Sequence, residues 1–560
     1  MTARPPGLTT TGRSFHGAPI CVATVPPLIR VGPRRWIGIF CATLSGMPRI
    51  LVAVLTIASA LLAQSPGPEQ IAAIFAAYRH SDTPGCAVGV DVPGRDIWTG
   101  AYGMADLEHA VENTPATVFE AGSVSKQFTA AAVLLLVERG QVSLGDNIRK
   151  HFPEIPAYAR PITVRQILNH TSGLRDWGEI EDIAGWPRGT REYTHAHVLE
   201  VISRQHALNY PPGDAWSYTN SGYNLAAMLV ERVSGTTLQA FCRKEFFEPL
   251  GMASTEWRDD FRRIVPNRAI AYEIRGLEWR QNMPFEDVYG NGGLLTTVGD
   301  LLKWNANMTA GKLHPAVFEQ MQKPGSLGNG RPIGYGFGLF LQDFQGFKEV
   351  AHSGATAGYR AWLGRLPAKG LSVALLCNAA SANSTALAHQ VASLYLGISP
   401  SDPPPSSPDL QPGLYRSVRD HATLTVGPTK DIRTFGPVGT VRFEGAHVIV
   451  SNPVYGEEVW ERVEPWKPAD LSAYAGVYAS DEAETVLRIV IENGNLSIHR
   501  RPNSSFPLTP AYTDAFHCSL GSVRFLRDAT DKIVAFSLSE SRVWDLRFAR
   551  GDSGNAVAPQ

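Results

Sequence analysis

The stretch EAGSVSKQF, residues 120–128, places a serine, Ser123, three residues before a lysine, Lys126, at the head of a long apolar run. Residues three apart share one face of a helix, so the two side chains are expected to meet in its first turn. A helix N-terminus adds free backbone N–H groups and the positive end of the helix dipole, which is what an oxyanion needs. The lysine acts as a base only if its pKa is lowered, and the apolar sequence behind it predicts the burial that lowers it. Taken alone the pattern is weak, since a chain of this composition holds one by chance roughly once.

Its weight comes from two companions. Tyr218-Thr219-Asn220, in PPGDAWSYTNSGYNLAAMLV, follows a Pro-Gly turn and precedes an amphipathic helix. A tyrosine held there can relay a proton, and the Asn220 amide can hydrogen-bond both a substrate carbonyl and the lysine. Each alone reads more readily as a surface tyrosine and a helix cap. In AHSGATAGYRAW, His352-Ser353-Gly354 falls on an expected strand. Gly354 lets a substrate backbone approach closely, and the Ala355 N–H then supplies a second oxyanion donor beside that of Ser123. His352 alone reads as a strand histidine satisfied by a neighbour.

The elements that must hold these residues alternate between helix and strand. PEQIAAIFAAYRH is an amphipathic helix, and CAVGVDV and RDIWTGAYG are strands joined by a turn at Pro93-Gly94. SVSKQFTAAAVLLLVERG is a helix apolar nearly all round, hence buried, ending at Gly140. A helical, loop-rich middle follows. Strands return as GYGFGLFL, KEVAHSG, GYRAWLGRLP and LSVALLCN, and TALAHQVASLYLG closes the region as a helix. This predicts an α/β domain whose antiparallel sheet is built from both ends of the region, flanked by helices and carrying a helical insert.

ISPSDPPPSSPD, residues 398–409, suits an extended linker. Beyond it the pattern is all-β, with short runs such as ATLTVG, VRFEG, AHVIVSN and TVLRIVIENGNLSIHR between turns. A weak repeat, DLQPGLYRS and DLSAYAGVYAS, predicts two barrel-like units. The expected organisation is a leader over 1–63, the α/β domain over 64–397, the linker, and β units over 410–466 and 467–560.

The chain has 560 residues and a net charge of −1. Its length predicts two to four domains. The near-neutral balance without a basic block excludes a nucleic-acid footprint. From Met47, one Arg, the apolar run Ile50–Ala63 and a turn give the layout of a signal peptide, too short for a membrane span, with cleavage after Ala63. Met47 is read as the true start; the second reading is a longer leader using Arg34-Arg35 as a twin-arginine signal. Export, periplasmic or secreted, is therefore expected. Cys21 and Cys41 lie in the leader. Cys86, Cys242, Cys377 and Cys518 remain, either paired in one of three ways or as free buried thiols. No metal or cofactor is implied.

In order, Ser-x-x-Lys, Tyr-x-Asn and His-x-Gly resemble the penicillin-recognising serine hydrolases, specifically the class C β-lactamase-related family, over about residues 68–397. TPGCAVGV, GAYGMADLE, ITVRQILNHTSGL, GNGGLLTTVGDLLKW and VALLCN fit the same family's habits. The resemblance implies that Ser123 is the acylated nucleophile, Lys126 its base and Tyr218 the proton relay. Asn220 orients the substrate amide, and His352 stands where many relatives carry a lysine. It gives His170, in HTSGL, a structural role, and Asp300 is read as a helix cap. A histidine mostly neutral at pH 7 favours amides, small esters or peptides read from their amino end over β-lactams. The two β units add a likeness to the D-aminopeptidase type, whose substrates are amides or peptides bearing an N-terminal D-residue.

The expected partner is a small-molecule or short-peptide substrate, with no nucleic acid, no membrane span in the mature chain, and a homodimer left open. An esterase, or a β-lactamase or DD-peptidase of the same family, is the alternative. A non-catalytic ligand-binding or sensor protein on this scaffold is the alternative of another class. SDEAETV, with Asp481, Glu482 and Glu484, is read as a solvated acidic turn, or as the carboxylate partner of a substrate ammonium.

Overall fold

Six strands form the central antiparallel sheet, in the order Phe340–Phe344, Phe347–Thr356, Tyr359–Leu366, Leu371–Cys377, Cys86–Asp91, Trp98–Tyr102. The C-terminal four are a meander, and the N-terminal hairpin adds to its edge through Cys86–Asp91. This is the sheet built from both ends. The hairpin turns at Gly94, whose φ of +78° suits glycine.

Both faces of the sheet are covered. Val88, Val90, Trp362, Leu375 and Cys377 pack against helices Pro68–Ile74 and Ser384–Leu396. The alternate residues Ala87, Ala361, Leu363, Ala374 and Leu376 join the main core, with Phe128, Leu302 and Trp304. Period-two side chains therefore face two different layers, and the strands read as nearly continuous apolar runs. Cys86 and Cys377 are cross-strand neighbours and are disulfide-bonded, while Cys242 and Cys518 are free and buried.

Helix Lys126–Glu138 is buried from Lys126 to Leu136. Each of its large apolar side chains contributes roughly 1.5–3 kcal/mol by leaving water. Two sequence expectations change here. The segment predicted as a strand from Gly334 is extended only from Phe340, because Gly336 and Gly338 lie where a Cβ would strike the carbonyls of Met321 and Lys126. Helix Val298–Ala310 is capped by Thr297, not Asp300. Asp300 is its third residue, and its carboxylate accepts from Ser254 N–H and Thr255 Oγ and pairs with Lys303.

Beyond the first domain stand a five-stranded antiparallel sheet within Gly413–Val463 and a nine-stranded one within Gly476–Arg550. The end strands of the larger sheet, Ser504–Pro507 and Thr509–Pro510, are joined by Leu508, whose N–H donates to Leu496 C=O, so the sheet nearly closes as a barrel. The computed structural model describes residues 66–399, 407, 409–432, 440–452, 454 and 456–551, all within the compact unit Ser65–Gln560. The leader, with Met47, Cys21 and Cys41, and most of the linker lie outside the described residues.

The barrel is docked on the α/β domain through a buried ion pair. Arg175 donates to Glu482 at 2.8 Å and to the carbonyls of Trp544 and Asp545 at 3.2 Å. Glu482 also accepts from the N–H groups of His206 and Ala207, at 2.7 and 3.1 Å. Asp481 pairs with His206, and Glu484 with Arg204. The acidic turn SDEAETV is thus not simply solvated: it is one of the barrel's contacts with the α/β domain.

Candidate active site

The nucleophile turn is a short 3₁₀ segment, Gly122–Ser125, that runs into helix Lys126–Glu138. It is held from behind by a buried pair: Arg258 Nε donates to Glu120 at 2.8 Å, and neither side chain is more than 1% exposed. It is held from the front by the sheet. A Cβ on Gly122 would lie 2.6 Å from Ala355 N, and one on Gly354 would lie 2.0 Å from Ala121 O. Only glycine at both places lets the backbone of Ser123 and the strand carrying Ala355 come together as lining of one pocket.

Lys126 is fully buried and its Nζ lies 3.0 Å from Ser123 Oγ. The same Nζ donates to Asn220 Oδ1 at 2.9 Å and to Asn291 C=O at 2.7 Å. Burial first, then the cation of Arg542, hold its pKa well below the ordinary lysine value, with Asp176 acting the other way. A neutral amine has two hydrogens and one lone pair. The two pure acceptors, Asn220 Oδ1 and Asn291 C=O, take the hydrogens, and the lone pair is left for the Ser123 hydroxyl.

Tyr218 lies beside this pair, with Lys126 Nζ 4.8 Å from its ring centroid. His170 packs against the Tyr218 ring at 4.4 Å between centroids, and the His170 carbonyl accepts from Ser217 N–H. The HTSGL turn therefore shapes the loop that presents Tyr218. Asn220 is anchored by its own N–H, which donates to Asp176 at 2.7 Å. Asp176 also caps helix Trp177–Ala184. One carboxylate thereby ties the tyrosine loop to the insert.

His352 is 1% exposed, its Nε2 lies 3.0 Å from Tyr335 Oη and its Nδ1 lies 2.6 Å from Ser353 C=O. The neutral ring matches both partners, accepting from the tyrosine and donating to the carbonyl. Burial, then Lys126, push its pKa down to about 3. The ring is accordingly neutral at pH 7, as the sequence led one to expect of a histidine at this position.

A cavity of about 540 Å³ opens over these groups and is lined by Ser123, Tyr218, Asn220, His352, Gly354 and Ala355, the full set expected from the sequence except Lys126, which is buried beneath Ser123. Three residues that motif reading missed also matter. Asn291, in the GNGG stretch, contributes a backbone carbonyl, which no residue type announces. Arg360 stands one strand from Ala355, its register partner. Arg542 comes from the barrel, between strands Ile533–Ser539 and Leu546–Arg550, and its guanidinium lies 5.0 Å from the Tyr218 ring centroid. Asp481, Glu482 and Glu484 do not line this cavity.

The family model described as beta-lactamase matches residues 71–396. A D-aminopeptidase of Cereibacter sphaeroides is 27% identical over 440 residues, covering 73% of this chain and 82% of that protein. A penicillin-binding protein of Bacillus subtilis is 28% identical over 285 residues, covering 48% of this chain and 62% of its own. Among solved structures, a D-stereospecific amidohydrolase from Streptomyces superposes with a TM-score of 0.52 at 23% identity, over 60% of this chain and all of that one, a likeness of fold.

Proposed function

The chain belongs to the beta-lactamase family and is a serine hydrolase of it, and from that premise we propose that it cleaves amide or peptide bonds next to a D-residue through an acyl-enzyme on Ser123. The observation that carries this is the buried Lys126 amine, its pKa held well below the ordinary lysine value, 3.0 Å from Ser123 Oγ and bonded to two further acceptors, Asn220 Oδ1 and Asn291 C=O. Lys126 takes the hydroxyl proton as Oγ attacks the carbonyl carbon. The developing oxyanion sits between the N–H groups of Ser123 and Ala355. Tyr218 passes a proton to the departing amine, the C–N bond breaks, and an ester to Ser123 remains. Water, deprotonated through Tyr218 and Lys126, then attacks that ester and releases the acid. The Asn220 side-chain N–H₂, opposite the oxygen that binds Lys126, is left to orient the substrate amide.

The D-residue comes from the named relative, a D-aminopeptidase whose match covers 73% of this chain. Export follows the same reading. The apolar run Ile50–Ala63 supports it, as does a disulfide between Cys86 and Cys377, a bond that persists in oxidising compartments.

The test is hydrolysis of D-alanine p-nitroanilide, with its L-enantiomer, its N-acetyl form and p-nitrophenyl butyrate in parallel, by wild type and Ser123→Ala. D-selective amide cleavage lost in the mutant is the expected result. Ester turnover alone would make the protein an esterase. Activity surviving Ser123→Ala would remove the serine from the chemistry.

A further inference from the structure

The charged side chains that line the active-site cavity are all guanidinium groups: Arg188, Arg360 and Arg542, with no carboxylate among the lining residues. Arg188 is neutralised, since it grips Glu286 with two nitrogens. Arg360 is not: it donates to the carbonyls of Ala357 and Tyr359, and among the described residues no carboxylate pairs with it.

Arg542 is held in place by its backbone. Its N–H donates to Glu179 at 2.7 Å, and its C=O accepts from Asp176 N–H at 3.2 Å and from the Asn209 side chain at 2.9 Å. Trp544 N–H, two residues on, donates to Asn209 at 2.8 Å. The barrel loop is thus bonded to the α/β domain on both sides of Arg542. The guanidinium lies within ion-pair range of Asp176 at 4.0 Å and of Glu179 at 3.7 Å but donates a hydrogen bond to neither, so its N–H groups remain available to an acceptor in the cavity. Burial, then Asp176, push the Glu179 carboxyl up.

We propose that Arg542 is a specificity-determining residue which, delivered to the active site by the C-terminal barrel, binds the carboxylate of the substrate's leaving group. The proposal rests on the role given above to Tyr218. The guanidinium carbon lies 5.0 Å from the centroid of the ring whose hydroxyl is assigned above to the leaving amine, and Arg542 lines the same cavity, which puts it within reach of the part of the substrate that departs. A guanidinium fork matches a carboxylate in two parallel N–H···O bonds. A simple amide or ester leaving group offers no such partner. A short peptide whose released residue is C-terminal does. Arg360, on the opposite strand wall, adds a second positive charge to the same cavity. An N-terminal ammonium finds no carboxylate there, so the selective contact is with the leaving end of the peptide.

The experiment compares kcat/KM for D-alanyl-D-alanine and D-alanyl-D-alaninamide, which differ only in the leaving-group carboxylate, by mass spectrometric detection of the released residue. Wild type, Arg542→Gln and Arg542→Lys are assayed. Wild type is expected to prefer the acid by about tenfold or more, the Gln variant to lose that preference, and the Lys variant to keep part of it, as one point charge replaces a fork. The ratio is insensitive to any general effect of Arg542 on the nucleophile or on folding, because both substrates share it. A Gln ratio equal to that of wild type, or a wild type that prefers the amide, would overturn the proposal. If neither peptide is turned over, the substrate reading above fails on its own. Calorimetric binding of the same two peptides to Ser123→Ala, with and without Arg542→Gln, then decides. Tighter binding of the acid that depends on Arg542 upholds the assignment, and equal or absent binding overturns it.

Discussion

Removing the charge of Arg542 is expected to move the acid limb of catalysis to higher pH. Lys126 Nζ and the Arg542 guanidinium carbon lie 4.8 and 5.0 Å from the centroid of one ring, that of Tyr218. The two cations are therefore within about 10 Å of each other, and at an effective dielectric near 20 they repel by about 1.7 kcal/mol. That is about one pKa unit. The repulsion disfavours protonated Lys126, so Arg542→Gln raises the lysine's pKa. Asp176, which already acts in that direction, loses its cation and adds to the change. Only neutral Lys126 accepts the Ser123 proton, so a higher pKa means that activity is lost at a higher pH on acidification. The assay is the pH dependence of the inactivation rate by a neutral fluorophosphonate. It reports the free enzyme's base and needs no knowledge of the substrate. Arg542→Lys, which keeps the charge, is expected to leave the limb near its wild-type place. A limb that stays put or moves down in the Gln variant would refute the argument that the barrel tunes the base.

Lys126→Met, which removes the base from a site buried well enough to hold a methionine, is expected to cut the same inactivation rate by about 10²–10⁴ while circular dichroism stays unchanged. Replacing Cys86 and Cys377 together by Ala is expected to lower stability in urea by about 2–4 kcal/mol without abolishing turnover, because the bond joins two sheet strands away from Ser123. Arg175→Met leaves Glu482 buried without its cation and is expected to cost about 3–5 kcal/mol. The double change Arg175→Met, Glu482→Met is expected to recover much of that in the same urea titration.

Residue spacing was enough to bring out most of the residues that the structure gathers at the candidate site. Ser123 and Lys126 are three apart on one continuous helical turn, so local geometry alone makes them neighbours. Asn220 stands at the start of its helix for a similarly local reason, and the Gly354 strand follows from alternation and a glycine. The central sheet was legible for the same reason, since both of its ends carry strong strand patterns. The extent of GYGFGLFL was not. There the glycines answer to close approach of the Met321 and Lys126 carbonyls, distant in sequence, and not to strand propensity.

Long-range packing decided the rest. Which cysteines pair depends on a register, Cys86 opposite Cys377, set by the order of strands in the sheet. The fate of the SDEAETV turn depended on Arg175, 307 residues away, presenting a buried cation to Glu482. The charge of the active site depended on Arg542, a residue in an ordinary loop with no motif around it. The sequence by itself determined the candidate reacting groups, because their chemistry and spacing are local. Tertiary structure alone decided the charge and the walls around them, because electrostatics acts through space and takes no account of separation along the chain.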